Sequence, residues 1–260
     1  MVEIDAVSYA VGGIDIIRDV SVRFPPGRFN VVIGPNGAGK STLLRIATGL
    51  TRATSGAVRY AGRDVAAIAD GELARIRAVL SQHLELVFPL PAEDVVLMGR
   101  YPHFGRTPGA RDRDIVSAAL QLVGMTARRH QAYPTLSGGE QQKVQLARVL
   151  AQIWSEPGKA EERYLFLDEP TTSLDVHYQL HLLDAARDLA RRGYTVVAVL
   201  HDLNTAFEYG ESFVLLDGGR LVRQSERIDD IAPEAIERAF RVRAERIASP
   251  RGAAYWRFTL

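Results

Sequence analysis

The sequence predicts an α/β fold: a parallel core sheet, an N-terminal antiparallel β part and an inserted α-helical segment. One ground is the stretch Gly34-Pro35-Asn36-Gly37-Ala38-Gly39-Lys40-Ser41-Thr42, which follows an apolar strand pattern at Phe29–Ile33 and opens a helical one. It matches the phosphate-binding pattern G-x-x-x-x-G-K-[ST] at Gly34, Gly39, Lys40 and Ser41. A second ground is a pair of near-continuous apolar runs, residues 164–167 and 195–200, on either side of an amphipathic stretch at 179–192. That is the sequence form of a βαβ unit with buried parallel strands. The third is a change past Gln82, where Pro89, Pro91, Pro102 and Pro108, with Gly99, Gly105 and Gly109, punctuate short pieces of helical spacing.

In chain order, residues 2–9 and 14–24 read as strands around a Gly12-Gly13 turn, and Pro25-Pro26-Gly27 breaks the chain before the phosphate-loop strand. Tyr9 lies on a strand whose neighbours face the loop; stacking on a base and packing in the sheet are both open to it. Thr54-Ser55-Gly56 reads as a turn leading to a strand over 57–62. A helix over 72–77 leads into a strand over 77–81 that ends at Gln82. Residues 86–150 read as a helical insertion, with helical spacing at 94–100 and 112–123. A final hairpin spans 213–222 around Asp217-Gly218-Gly219. Beyond Ser225 the chain is charged and helix-prone, ending in a strand-like 255–258.

With 260 residues, 47% apolar and 24% charged, the chain has the make-up of a globular protein with a real core. A net charge of +1 argues against a strong nucleic-acid field. The absence of cysteine excludes disulfides, thiolate nucleophiles and Cys-ligated zinc. No signal peptide is expected at the N-terminus, and no apolar run reaches the ~20 residues that span a bilayer. The expectation is a soluble chain that serves a membrane, if at all, from the side.

A strand turning into a helix leaves the first N–H groups of the helix without intrahelical partners, and the helix dipole adds positive potential there. Phosphate oxygens bind at such a terminus. Lys40 supplies a point charge for the β- and γ-phosphates, and the Ser41 hydroxyl is a ligand for Mg²⁺. Asp168-Glu169-Pro170 closes the strand that starts at Tyr164, so Asp168 is placed to hold Mg²⁺ through its water shell and Glu169 to polarise water. In Leu136-Ser137-Gly138-Gly139-Glu140, Ser137 and Glu140 form a capping box for a helix through Leu150. The same Ser-Gly-Gly also makes a second anion site.

Taken together these stretches resemble the ATP-binding-cassette (ABC) ATPases over nearly the whole chain. Leu136 to Glu140 is similar to the ABC signature, Gln82 to the Q-loop glutamine, Asp168-Glu169 to Walker B, Ser173-Leu174-Asp175 to the D-loop and His201 to the switch histidine, all in the family's order. The resemblance implies a P-loop NTPase (RecA-like) α/β core with an N-terminal antiparallel β subdomain and an inserted α-helical subdomain, as one ABC ATPase domain. Within it, 1–85 and 151–225 form the β subdomain and core, 86–150 the helical signature subdomain, and 226–260 a C-terminal extension. It implies ATP and Mg²⁺ as cofactors and a head-to-tail homodimer. Residues 34–42 grip one ATP, and Ser137, Gly138 and Gly139 of the other copy reach its γ-phosphate, with Asp175 at the same nucleotide. Glu169 becomes the general base, His201 a γ-phosphate contact, Lys40 a catalytic cation, and Gln82 a magnesium or water ligand that signals to the insertion. Ser41, Gln82 and Asp168 form the metal set. The family's adenine-stacking aromatic falls at Val11 here; either Tyr9, two residues earlier on the same face, substitutes for it, or the adenine is held loosely.

Residues 88–103 resemble importers of iron-siderophore complexes, haem and cobalamin, and the extra stretch 154–163 is similar to the haem-importer subunits. The implied partners are a separate integral-membrane permease dimer and, indirectly, a periplasmic substrate-binding protein. The implied place is peripheral, on the cytoplasmic face of the bacterial inner membrane. A soluble, non-transport ABC ATPase is the more distant alternative. His177 and His181 stand four apart on one helix face but lack a third ligand and read as a solvated face; His83, His103 and His130 read as surface or interface residues and not as ligands.

Overall fold

The computed structural model describes residues 1–81, 88–154, 162–171, 175–247 and 255–260. The chain divides into two units: Met1–Ala67 with Leu189–Leu260, and Ile68–Asp188.

In the first unit, β1 (Val2–Val11) and β2 (Ile14–Phe24) pair antiparallel around Gly12-Gly13. β4 (Ser55–Tyr60) pairs with the other edge of β1, and β5 (Arg63–Asp64) extends the sheet. The β1–β2 register shifts between Ile4 and Val7 and again between Val7 and Tyr9. At these bulges Ala6 and Asp19 take φ of 47° and 52°. The N–H groups lost from the ladder donate instead to hydroxyls, Ala6 to Ser21 Oγ at 2.9 Å and Asp19 to Ser8 Oγ at 3.0 Å.

β3 (Phe29–Ile33) is buried at every position, as is β8 (Thr195–Val199), which runs parallel to it. β9 (Ser212–Asp217) is parallel to the other side of β3, and β10 (Arg220–Ser225) turns back on β9 through Gly218-Gly219. Asn30 is the one polar side chain within β3; its Nδ2 donates to the carbonyls of Pro25, Arg28 and Val196, which fixes the strand's start. α1 (Lys40–Ala47) follows the phosphate loop. Three elements among the described residues have no counterpart in the sequence reading: β5, α7 (Leu203–Tyr209) and β11 (Arg243–Ile247). The charged, helix-prone tail does contain α8 (Pro233–Phe240), and β11 pairs antiparallel with β12 (Tyr255–Thr259). Trp256 of β12 is buried against Phe207 of α7, ring centroids 5.7 Å apart, and Asn204 brackets its backbone, accepting from the N–H at 2.7 Å and donating to the carbonyl at 3.1 Å.

In the second unit, α2 (Asp70–Ile76) leads to β6 (Arg77–Leu80), which is parallel to β7 (Tyr164–Asp168). α3 (Ala92–Leu97), α4 (Ala110–Leu122) and α5 (Gly138–Gln152) bury a shared core of Val95, Val96, Ile115, Ala119, Val144 and Ala147. α6 (Val176–Arg191) completes the set. The sequence reads 94–100 as helix, but the α-helix stops at Leu97 and a 3₁₀ segment, Met98–His103, takes over around Pro102. That segment lies against α5: a Cβ on Gly99 would sit 2.1 Å from the Arg148 carbonyl oxygen. Buried Arg100 pairs with Asp112 at 3.0 Å and donates to the Ala151 carbonyl at 2.7 Å, and His103 Nε2 lies 2.6 Å from the Gln152 carbonyl. Gln152 in turn donates to the carbonyls of Ala74 and Arg77, both at 2.9 Å. Among the described residues no helix is long and apolar enough to cross a membrane.

Candidate functional site

Strand β3 delivers the chain into the glycine-rich loop, and the loop's shape depends on residues without a Cβ. At Gly34, φ is 154° and a Cβ would fall 2.3 Å from the Leu216 carbonyl oxygen. At Gly39, the N-cap of α1, φ is 94° and a Cβ would meet Ile17 Cδ1 at 2.7 Å. Being glycine, Gly39 leaves the first turn of α1 without a side-chain cap, which turns that terminus toward external acceptors. Lys40 is 5% exposed, and its Nζ donates to the carbonyls of Gly34 at 2.8 Å and Pro35 at 2.9 Å, so its charge is held inside the loop. Ser41 and Thr42 are half-buried in the first turn of α1. His201 lies two residues past the end of β8 and is exposed, and the parallel β3 leads into Gly34 at the same end of the pair. Asp202 then caps α7, its Oδ1 accepting from Thr205 N–H at 2.6 Å. Tyr9 is half-buried on β1, whereas Val11 at the strand's end is 54% exposed. All these residues belong to the first unit.

The second unit holds the other candidates. Asp168 ends β7 after four buried residues, and Glu169 follows in the left-handed region with φ of 50°. A non-glycine residue held there marks a backbone constrained by its surroundings, and such constraint clusters at functional sites. The spacing alone did not show it.

The predicted capping box is formed. Ser137 N–H donates to Glu140 Oε2 at 2.9 Å, and Glu140 N–H donates to Ser137 Oγ at 3.4 Å. The Ser137 N–H bond, with Arg128 at 2.7 Å, holds the Glu140 carboxyl below its ordinary value against some desolvation. Ser137 and Gly138 are exposed at this helix start, and Gly139 is half-buried. Asp175 caps α6, accepting from Tyr178 N–H at 3.0 Å through Oδ1. Gln82, Ser173, Leu174, His83 and residues 155–161 lie outside the described residues.

Of the remaining histidines, His177 and His181 approach to 4.4 Å between ring centroids, and among the described residues no group of three or more His, Cys, Asp or Glu could hold a metal ion. His103, which the sequence reads as a surface or interface residue, is half-buried, and desolvation with the nearby arginines pushes its pKa down. Its neighbour Arg100, the partner of Asp112 and of the Ala151 carbonyl, also escaped the sequence reading; the signal available was a charged residue inside an apolar helical stretch.

Comparison with known proteins places these features in one family. The family model described as ABC transporter matches residues 17–172. The hemin import ATP-binding protein HmuV of Agrobacterium fabrum is 41% identical over 240 residues, covering 92% of this chain and 91% of the relative. Its namesake from Gloeobacter violaceus is 43% identical over 251 residues, covering 96% and 91%. Among solved structures, a metal-chelate type ABC transporter in an inward-facing conformation superposes with a TM-score of 0.82 at 22% identity, covering 100% of this chain and 97% of that one. A dimeric ATP-binding cassette, MJ0796 bound to ADP and phosphate, gives 0.73 at 28% identity, covering 87% and 98%. The former is a likeness of fold; the family model and the relatives go further, and with the phosphate loop, the capped Ser-Gly-Gly helix and the Asp-Glu strand end in place, the chain belongs to the ABC transporter family.

Proposed function

We propose that this chain is the ATP-hydrolysing subunit of a bacterial haem importer, driving a separate permease from the cytoplasmic face of the inner membrane. The observation that carries the cargo is the run of hemin import relatives, 41% and 43% identical over more than nine-tenths of both chains. A ferric-siderophore or cobalamin importer is the second reading, since residues 88–103 resemble that wider group.

In this reading residues 34–42 wrap the phosphates of ATP and Lys40 neutralises the β- and γ-oxygens. Ser41, Gln82 and Asp168 are hard oxygen donors, the set that Mg²⁺ takes, and the ion supplies charge neutralisation at the phosphates when bound. Glu169 accepts a proton from the attacking water, His201 donates to the γ-phosphate, and Tyr9 lies under the adenine. Ser137, Gly138, Gly139 and Asp175 of a second copy complete the site across a head-to-tail dimer. Phosphoryl transfer needs little covalent help from protein, so these positioning and electrostatic roles suffice for the chemistry. Closure of the dimer moves the helical part against the permease, and hydrolysis resets it; a periplasmic binding protein delivers the cargo on the far side.

The test is growth of a strain deleted for this gene on haem, ferric siderophore, inorganic iron or, separately, cobalamin. Failure on haem alone is expected. Normal growth on haem with failure on another source would move the cargo, and no defect on any source would leave the non-transport reading in its place.

A further inference from the structure

We propose that Tyr178 is a positioning residue for ATP hydrolysis, keying the first turn of α5, with Gly138 and Gly139, to the Asp175 cap of α6. This rests on the reading above, in which those two glycines present their N–H groups to a γ-phosphate.

The geometry comes from both sides of one ring. Tyr178 sits in the first turn of α6, and its backbone N–H is the donor to Asp175 Oδ1 at 3.0 Å. Asp175 and Tyr178 are thereby locked together as cap and third helical residue. The side chain then reaches the start of α5. A Cβ added to Gly139 would fall 3.1 Å from Tyr178 Cδ2 and 3.3 Å from Cε2, so the Cδ2–Cε2 edge of the ring packs closely on the glycine. One turn further along α5, Lys143 places its Nζ 3.9 Å from the centroid of the same ring. The ring thus touches α5 at Gly139 and at Lys143, one turn apart on one helix face, which fixes both the height and the rotation of that first turn. The rest of its surroundings are looser: Tyr178 is half-buried and lines a groove with Gln142, Leu146, His181 and Leu182. The ring also meets the His177 imidazole edge-on, centroids 5.5 Å apart, within α6 itself, so its contacts to another helix of this unit are the ones to α5 at Gly139 and Lys143.

Two consequences separate this role from general packing. The ring itself is needed and its hydroxyl is not, so phenylalanine should serve. The phosphate loop lies in another part of the chain, so nucleotide affinity there should not depend on residue 178. What should depend on it is the placement of the Gly138 and Gly139 N–H groups, and a displacement near 1 Å at a catalytic group costs about 100-fold in rate.

The experiment measures kcat for ATP and the equilibrium affinity for a fluorescent ATP analogue in the full chain and in Tyr178→Phe, Tyr178→Ala and Tyr178→Leu. Tyr178→Phe is expected within about twofold of wild type in both quantities, since the aromatic face is retained. The other two are expected to lose about tenfold or more in kcat while nucleotide affinity stays within about twofold. Wild-type kcat in Tyr178→Ala and Tyr178→Leu would overturn the proposal, as would equal loss in Tyr178→Phe. Loss of folding in both the Ala and Leu variants would also overturn it, making the residue a packing element. A wild-type chain that turns over no ATP would overturn the parent reading first and this one with it.

Discussion

Glu169 holds a backbone conformation that glycine or asparagine adopts more easily, with φ of 50°, directly after the last residue of β7. The strained residue turns the chain out of a strand whose first four residues are buried, so the backbone sets the direction in which its side chain leaves the strand end. An amide at this position keeps the shape and removes the proposed base. Glu169→Gln is therefore expected to lower kcat by about 100-fold or more while ATP binding persists; steady-state turnover beside nucleotide titration measures both, and turnover at the wild-type rate would remove the base assignment. The lysine reading has a similar local basis. The spacing proposes Lys40 as a phosphate cation, whereas its two carbonyl partners, Gly34 and Pro35, depend on how the loop folds back and are written in no motif.

At the level of elements, the 3₁₀ segment Met98–His103 and the end of α5 form a polar joint around buried charge. Burial raises the Asp112 carboxyl, but the Gly109 N–H and the Arg100 guanidinium outweigh it and hold the group below its ordinary value. For a carboxyl of depressed pKa the unfolded chain binds the proton more readily, so its contribution is present above about pH 4 and is lost as pH falls through the folded value. His103 is also depressed, through desolvation first, and it too binds a proton more readily when unfolded. Its penalty begins below about pH 6.5. The melting temperature should therefore decline from about pH 6.5 downward and more steeply below about pH 4. In His103→Gln the first decline should flatten; an unchanged profile would show that another group carries it. None of this joint was legible from the sequence, because Arg100, His103, Asp112, Ala151 and Gln152 meet through the packing of separate segments. What was legible is what neighbours in sequence decide: the Ser137–Glu140 capping box, the strand-to-helix turn at Gly34 to Lys40, and the Gly218-Gly219 hairpin. α7 is seven residues long, too short for periodicity to stand out, and β11 reads Arg-Ala-Glu-Arg-Ile, with little strand preference until β12 pairs with it.

For the molecule as a whole, the proposed chemistry is divided between copies. Residues 34–42 supply one half of a nucleotide site, and the helix start at Ser137 supplies the half that serves the second copy's nucleotide. Hydrolysis by the isolated chain should then depend on its own concentration: specific activity is expected to rise as the chain is concentrated and level off once dimers dominate. Constant specific activity across that range would mean that one copy suffices. The fold class and the order of its chemical motifs could be read in advance at this scale, since each motif is short and self-contained. The C-terminal residues could not; their seat on α7 depends on Asn204 bracketing the backbone of Trp256, a contact across 52 positions of sequence.

α5 runs unbroken for 15 residues, from Gly138 to Gln152. At about 1.5 Å per residue it is a stiff rod some 22 Å long. One tip carries Gly138 and Gly139; the other carries the Gln152 amide, which grips the carbonyls of Ala74 and Arg77 where α2 gives way to β6. Such a rod acts as a lever arm. Pivoting it by about 5° at one tip swings the other by about 2 Å, two-thirds of a residue's advance along a strand. The tip it would swing is fastened to the root of β6, the strand that ends two residues before Gln82.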